Sequence, residues 1–425
     1  MATLDTSLTN TALPAIATQL HSAPAASIWV VTVYQLVMVS TMLPLASLGE
    51  ATSHRRVFIG GLLTFTLASF LCGTSGSLAG LIAARALQGL GAAAIMSANT
   101  ALVRLINPVE QLGRALGINA LVIALGLAGG PVLASRLLSF TSWHWLFLIN
   151  APVGAIAALI ARRALPTRSS GGPPFDIVAA ILCTAGFGLL ILGLGSLSKA
   201  GLSLTVWAEW VVAGLSFSVL VWHQGRGSAR MLPTDLLRIP VFALSTLTAV
   251  CAFATQGLVL VALPFLLHDT FGRSHAEVGL LIAPWPILGA LMAPIAGTLS
   301  DRWPIGLLGG VGLGCLAVGT AAMALMPAST AALFVASSMA FCGFGFGTFL
   351  SPNQKSLMAT APKECSGAAS GVLGVARLLG QATGAAVVSL CFAQAGPQGP
   401  SLALWIGAGF AAVGGFVSLL RMTWR

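Results

Sequence analysis

Apolar stretches of about twenty residues recur along the whole chain, and twenty is the number a helix needs to cross a bilayer. Fourteen can be marked, at approximately 1–20, 27–48, 57–75, 78–103, 115–137, 145–165, 176–198, 203–223, 242–266, 278–299, 305–326, 330–352, 367–393 and 401–422. In lipid every backbone polar group must be satisfied internally, so only helices or closed barrels can span. A barrel would show alternating segments of about ten residues, which this sequence lacks. Composition agrees: 57% of residues are hydrophobic and 7% charged, whereas a water-soluble surface needs near a quarter charged. The expected fold class is an all-α polytopic membrane protein.

The net charge of +10 would suit a nucleic-acid partner if it were clustered on one soluble face. Its distribution excludes that. With both termini on one side, the turns of that side hold Arg55, Arg56, Arg104, Arg114, Arg162, Arg163, Arg168, Arg226, Arg230, Arg238, Arg302, Lys355, Lys363, Arg421 and Arg425. The other side holds Arg136, Lys199 and Arg273. This is the positive-inside bias, and it turns the basic side toward cytoplasm and anionic lipid headgroups. The longest polar connections, 162–176 and 223–240, are basic and rich in Gly and Pro. They divide the chain into an N-terminal six-helix bundle (1–165), two inserted helices with their linkers (166–240) and a C-terminal six-helix bundle (241–425).

The first stretch is irregular. Thr3, Asp5, Thr6, Ser7, Thr9, Asn10 and Thr11 crowd its beginning and Pro14 follows. It reads as the middle and outer half of a span whose inner half lies outside this sequence, with about a dozen further apolar residues expected before Met1. A naturally short first span is the other reading. The seven cysteines are scattered singly and read as packing residues, with no metal or disulfide spacing. Trp29, Trp143, Trp145, Trp207 and Trp210 fall near outer span ends, and Trp222, Trp303 and Trp424 near inner ends, as interfacial belts do. Trp285 sits inside a span between Pro284 and Pro286, which should kink that helix.

Charges inside spans are rare and costly, about 2.5–3.5 kcal/mol at the centre on insertion scales, so each is a functional candidate. Arg85 is one, with Gln88 and Gly89 on the same helix face. Arg377, among the glycines of span thirteen, is another. Of ten acids, only Asp5 lies deep in a span. At 1.5 Å per residue, Asp5 lies roughly 20 Å from the outer end of span one, and Arg85 about 10 Å from that of span four. Asn10 matches Arg85 better in depth, so Asn10 or a water is expected to relay between the two charges. Span five carries Gly126, Gly129, Gly130 and Pro131, a smooth and kinkable surface.

In combination these motifs resemble the major facilitator superfamily, and its fourteen-span drug:proton antiporters in particular. Gly126-x-x-x-Gly130-Pro131 resembles the antiporter motif, with Ala134-Ser135 where a Gly pair usually closes it. Arg85-x-x-Gln88-Gly89-x-Gly91-Ala92 resembles the span-four motif, whose arginine is associated with proton coupling. Leu4-Asp5-Thr6-x-x-x-Asn10-x-Ala12-Leu13-Pro14 is similar to the subfamily's span-one motif, and Trp143-His144-Trp145-x-Phe147-Leu148-Ile149-Asn150-x-Pro152-x-Gly154 to its segment entering span six. Gly297-Thr298-Leu299-Ser300-Asp301-Arg302 resembles the cytoplasmic gate. Ala46-Ser47-Leu48-Gly49-Glu50 with His54-Arg55-Arg56 is a worn copy of that gate after span two.

The resemblance implies a bacterial inner-membrane exporter of small amphipathic or lipophilic compounds, working as a monomer by alternating access. A proton gradient would drive it, without a cofactor. Asp5 and Arg85 would couple protons. Asn10, Gln88, Trp285 and Arg377 would line the substrate cavity. Glu50, Arg55, Arg56, Asp301 and Arg302 would form the gate. As the deep acid, Asp5 would serve as both proton site and counter-charge for any cationic substrate; monovalent cations or neutral lipophilic compounds are expected, while the basic Arg377 speaks against dications. A transporter of one metabolite on the same fold is the alternative. An enzyme is disfavoured because the six histidines are dispersed at helix ends and loops. The charge bias predicts that residues 198–203 and 327–330 face outward. A cysteine at Thr330 should therefore react with impermeant reagent added outside, and labelling from the cytoplasmic side alone would contradict the topology.

Overall fold

In the computed structural model, the described residues are 1–106, 112–166, 174–200, 203–225, 234–327, 331–360 and 366–423. Parts of both basic linkers lie outside them, as do Glu110, Arg168, Arg226, Arg230, residues 201–202 and 328–330, Lys363, Glu364, Trp424 and Arg425. Among the described residues all regular structure is helical. The long helices are α1 (Ala2–Gln19), α2 (Trp29–Ala51), α3 (His54–Gly73), α4 (Leu78–Ile106), α5 (Leu112–Phe140), α6 (Asn150–Ala164), α7 (Ile177–Ala200), α8 (Leu204–Gln224), α9 (Pro240–Phe265), α10 (Pro284–Leu299), α11 (Ile305–Ala324), α12 (Ala332–Thr360), α13 (Ser366–Ala395) and α14 (Gly399–Leu420). Among the described residues eleven helical stretches are long and apolar enough to cross a membrane; the last, Gly371–Thr423, runs through both α13 and α14. Leu, Ile, Val and Phe side chains such as Ile156, Ile160, Val211, Leu215, Leu291 and Phe416 stand outward. That surface suits lipid and would not suit water.

Local sequence sets the breaks. Pro284 and Pro286 interrupt the tenth span, so a short helix, His275–Ile282, stops before α10 begins. Ser274 caps that short helix, accepting from the Glu277 N–H while the Glu277 carboxylate accepts from the Ser274 N–H. At the start of α7, Asp176 accepts from the Ala179 N–H at 2.9 Å and lies 2.8 Å from His223 Nε2 at the end of α8. Those two partners, Ala179 first, hold its carboxyl below the ordinary value.

Packing joins neighbours within each half: α1 with α5, α2 with α4, α3 with α4 and α6, then α9 with α13 and α14, α10 with α12, and α11 with α12 and α14. The pair α7–α8 lies against α2 and α13. Small residues permit the closest approaches. A Cβ added to Gly89 of α4 would sit 2.6 Å from the Tyr34 carbonyl of α2, which no real side chain tolerates. Away from the basic turns, an apolar core crosses between the halves. It unites Leu8, Leu13 and Ile16 of α1 with Leu258, Val261 and Phe265 of α9 and Val388 of α13.

Two placements differ from expectation. Trp143 is fully buried in that core, stacked on His144 at 3.8 Å, and so is no interfacial residue. Trp145, Trp207, Trp222 and Trp303 do stand exposed. Arg421 is buried at the end of α14 instead of facing solvent: its Nη1 donates to Ser245 Oγ at 2.7 Å and Asn353 Oδ1 at 2.9 Å, tying α14 to α9 and α12 through neutral groups.

Candidate functional site

Asp5 lies on α1 with only 1% of its surface exposed. Arg85 Nη1 on α4 reaches its Oδ2 at 2.5 Å. One turn along the same face of α4, Gln88 Nε2 donates to Asp5 Oδ1 at 3.0 Å, and Asn150 Nδ2 at the head of α6 donates to the same oxygen at 2.8 Å. The carboxylate is therefore gripped by three side chains from two helices. Arg85 is fixed in turn. Its Nε donates to the Val30 carbonyl at 3.1 Å, its Nη1 also to Gln88 Oε1 at 2.5 Å, and its guanidinium carbon lies 4.0 Å from the centre of the Tyr34 ring. Gln88 Nε2 further donates to Ser69 Oγ at 2.8 Å, which anchors the cluster to α3.

The depth comparison in the sequence is overturned here. Asp5 and Arg85 pair directly, and no relay by Asn10 is present. Helix ends are not level, the helices tilt, and the arginine side chain is long, so residue counts from each end misjudge mutual depth. Gln88 is also not on the cavity; it belongs to the carboxylate cluster. Asn150, Tyr34 and Ser69 were missed as site residues. Asn150 stood inside the Trp143–Gly154 motif, but only the folded chain brings it to Asp5.

Asn10 and Arg377 do line one cavity, between the halves. Thr3, Thr6, Ser7 and Asn10 of α1 line it with Gln35 of α2, Gly257 of α9, and Arg377 and Gln381 of α13. Positions 3, 6, 7 and 10 form one helical stripe, whereas Asp5, at about 100° per residue, points to the opposite side of α1. The expectation that Asp5 directly faces a substrate cation is thus not met in this conformation. The open part of the cavity has room for water but not for a drug-sized molecule. Trp285 is not among its lining residues. It is 2% exposed, packed in the core of the second half with its ring 6.0 Å from that of Phe346.

The span-five glycines serve the joint around α1. A Cβ on Gly130 would collide with the Ser7 side chain, and one on Gly126 would touch Leu4 at 3.6–3.9 Å. The next residue, Pro131, offers its carbonyl to Ser135 Oγ at 2.6 Å, and both abut Gly279 of the second half. The residues expected to form the gate divide by half. Asp301 pairs with Lys355 of α12 at 2.5 Å, a partner the sequence did not single out. Arg55 Nη2 donates to the Arg162 carbonyl at 2.6 Å. Among the described residues no ion pair involves Glu50, Arg56 or Arg302.

A buried ion pair recovers its desolvation cost only when both partners are present, and breaking one costs about 3–5 kcal/mol. Asp5→Asn should therefore lower the thermal-unfolding midpoint of the purified protein markedly, by leaving Arg85 charged without its counter-charge. Adding Arg85→Gln should recover most of that loss. Strictly additive losses in the double variant would contradict a coupled pair.

Comparison with known proteins fits this architecture. The model of the Major Facilitator Superfamily matches residues 1–385. The uncharacterized transporter YebQ of Escherichia coli is 47% identical over 426 residues, covering 100% of this chain and 93% of that protein. The riboflavin transporter RibZ of Clostridioides difficile is 30% identical over 396 residues, covering 93% and 86%. The multidrug resistance protein Stp of Mycobacterium tuberculosis is 29% identical over 413 residues, covering 95% and 74%. With a family match over most of its length and a helical, multi-pass membrane fold around a buried charge cluster, this chain is a transporter of the major facilitator superfamily.

Proposed function

We propose that the chain is a proton-coupled antiporter that exports small amphipathic or lipophilic compounds. In this reading α1–α14 are fourteen spans: two six-helix bundles, 1–165 and 241–425, with the pair α7–α8 inserted between them. The observation that carries the proposal is the buried Asp5–Arg85 pair. An ionisable pair kept inside a membrane protein, away from the cavity yet with its acid on a helix that lines it, is suited to sense protons and move that helix. Similarity to a multidrug resistance protein supports export of varied compounds. Similarity to a riboflavin transporter supports the second reading, transport of one metabolite on the same fold.

The proposed coupling runs through α1. A proton on Asp5 removes the counter-charge of Arg85, while Val30, Gln88 and Tyr34 still hold the guanidinium. The carboxyl then loses its strongest tie to α4, and α1 is free to shift against Gly130 of α5 and against α9. Substrate released from the cavity on one side of the membrane and proton loss on the other complete an exchange about a midplane site. No cofactor enters this cycle. For a neutral substrate, one proton moves inward uncompensated, and the membrane potential adds about 2.3 kcal/mol per 100 mV.

In inverted vesicles bearing the protein, uptake of riboflavin or of a lipophilic dye should draw protons out of the lumen. Arg85→Ala should abolish this uptake while the protein still reaches the membrane, and Arg85→Lys should restore part of it, charge returning without the planar fork. Wild-type uptake by Arg85→Ala would reduce Arg85 to a structural tie between helices.

A further inference from the structure

Arg377 faces the cavity, and no hydrogen bond or ion pair holds it among the described residues. Four of the described acids are committed elsewhere. Asp5 is bound by Arg85, Gln88 and Asn150 on the far side of α1. Asp176 faces His223, Glu277 is tied to Ser274, and Asp301 pairs with Lys355. Among the described residues no carboxylate lines the cavity.

The rest of the lining is polar in a particular way. Asn10 is 6% and Gln35 2% exposed, and the Oδ1 of the first and Oε1 of the second have no hydrogen-bond partner. Buried amide oxygens left unpaired are costly, and both are acceptors that look for N–H or O–H donors. Gln381 is different: its Nε2 already donates to Gln256 Oε1 at 2.9 Å. Met38, Met96 and Leu260 add an apolar, adaptable wall.

We propose that this cavity selects amphipathic organic anions that also carry an N–H or O–H donor, with Arg377 as the anion's partner and Asn10 and Gln35 as acceptors for the donor. An incoming carboxylate supplies the counter-charge that Arg377 lacks, and a charge-assisted hydrogen bond in a water-poor site is a strong one. A cation brought to the same place meets a like charge, with no acid among the described lining residues. This deepens the transport reading and rests on it. It also replaces the expectation of cationic substrates, which required Asp5 to face the cavity. In the proposed cycle one proton enters as one anion leaves, so two positive charges move inward per turnover, and the membrane potential drives anion export more steeply than neutral export.

The test uses the full chain in lipid nanodiscs and isothermal titration with three probes on one scaffold: 6-hydroxy-2-naphthoate, 6-hydroxy-2-naphthamide and (6-hydroxy-2-naphthyl)methylammonium. The naphthoate should bind at least about tenfold tighter than the ammonium, with the amide between. Its 6-methoxy ether, which has lost the donor, should bind more weakly. Arg377→Gln should erase the preference for the anion, while Arg377→Lys, which keeps the charge, should preserve the order if the glutamine variant fails to fold. Equal binding of the three probes, tighter binding of the ammonium, or no saturable binding of the naphthoate overturns the proposal. Failure of the transport reading is a separate result: it would be seen as proton-independent uptake in the vesicles, whatever the order of probe affinities.

Discussion

A carboxylate taken out of water must be surrounded by donors, or it will not stay ionised in a helix core. Much of this structure is arranged around that requirement at Asp5. Its partners come from two other helices, Arg85 and Gln88 from α4 and Asn150 from α6. Gln88 passes the contact on to Ser69 of α3, and Val30 and Tyr34 of α2 fix the guanidinium from the other side. Such a cluster adds little net stability compared with apolar packing. What it does is fix the relative positions of α1, α2, α3, α4 and α6; under the proposed coupling, that arrangement depends on one proton.

The helix that carries Asp5 has two faces with different duties. One presents the carboxylate to the first half of the molecule. The other presents Thr3, Thr6, Ser7 and Asn10 to the cavity, opposite Arg377. The same helix is pressed on Gly130 and contributes Leu8, Leu13 and Ile16 to the apolar core that crosses to α9 and α13. A change in the charge state of Asp5 therefore bears at once on the cavity lining and on the contact between halves, without a long relay.

The helical, multi-pass character was legible because apolar length and charge placement act locally and additively along a chain. The polar core residues were legible for the same reason: Arg85, Gln88 and Asp5 stand out against apolar neighbours. Their mutual geometry was not. Counting residues from helix ends assumed level, upright helices and set Asp5 too far from Arg85. The helical stripe at positions 3, 6, 7 and 10 was present in the sequence and would have turned Asp5 away from the cavity, had rotation been weighed along with depth. Trp143 and Arg421 misled because residues near a span end can turn inward when a neighbouring helix offers them a site. Trp143 stacks on His144 within the shared core, and Arg421 finds Ser245 and Asn353. Lys355 became a partner of Asp301 only through the packing of α10 on α12.

The central claim is that Asp5 gains and loses a proton as the transporter changes conformation, releasing and regripping Arg85. Infrared difference spectroscopy on the reconstituted protein addresses this directly, by stepping the pH and recording the carbonyl stretch of protonated carboxyl groups. A band present in the wild-type protein and absent from Asp5→Asn, changing with the same pH midpoint as a guanidinium band lost in Arg85→Gln, is the predicted result. Identical carboxyl difference spectra for wild-type and Asp5→Asn, across the pH range in which transport responds, would contradict it.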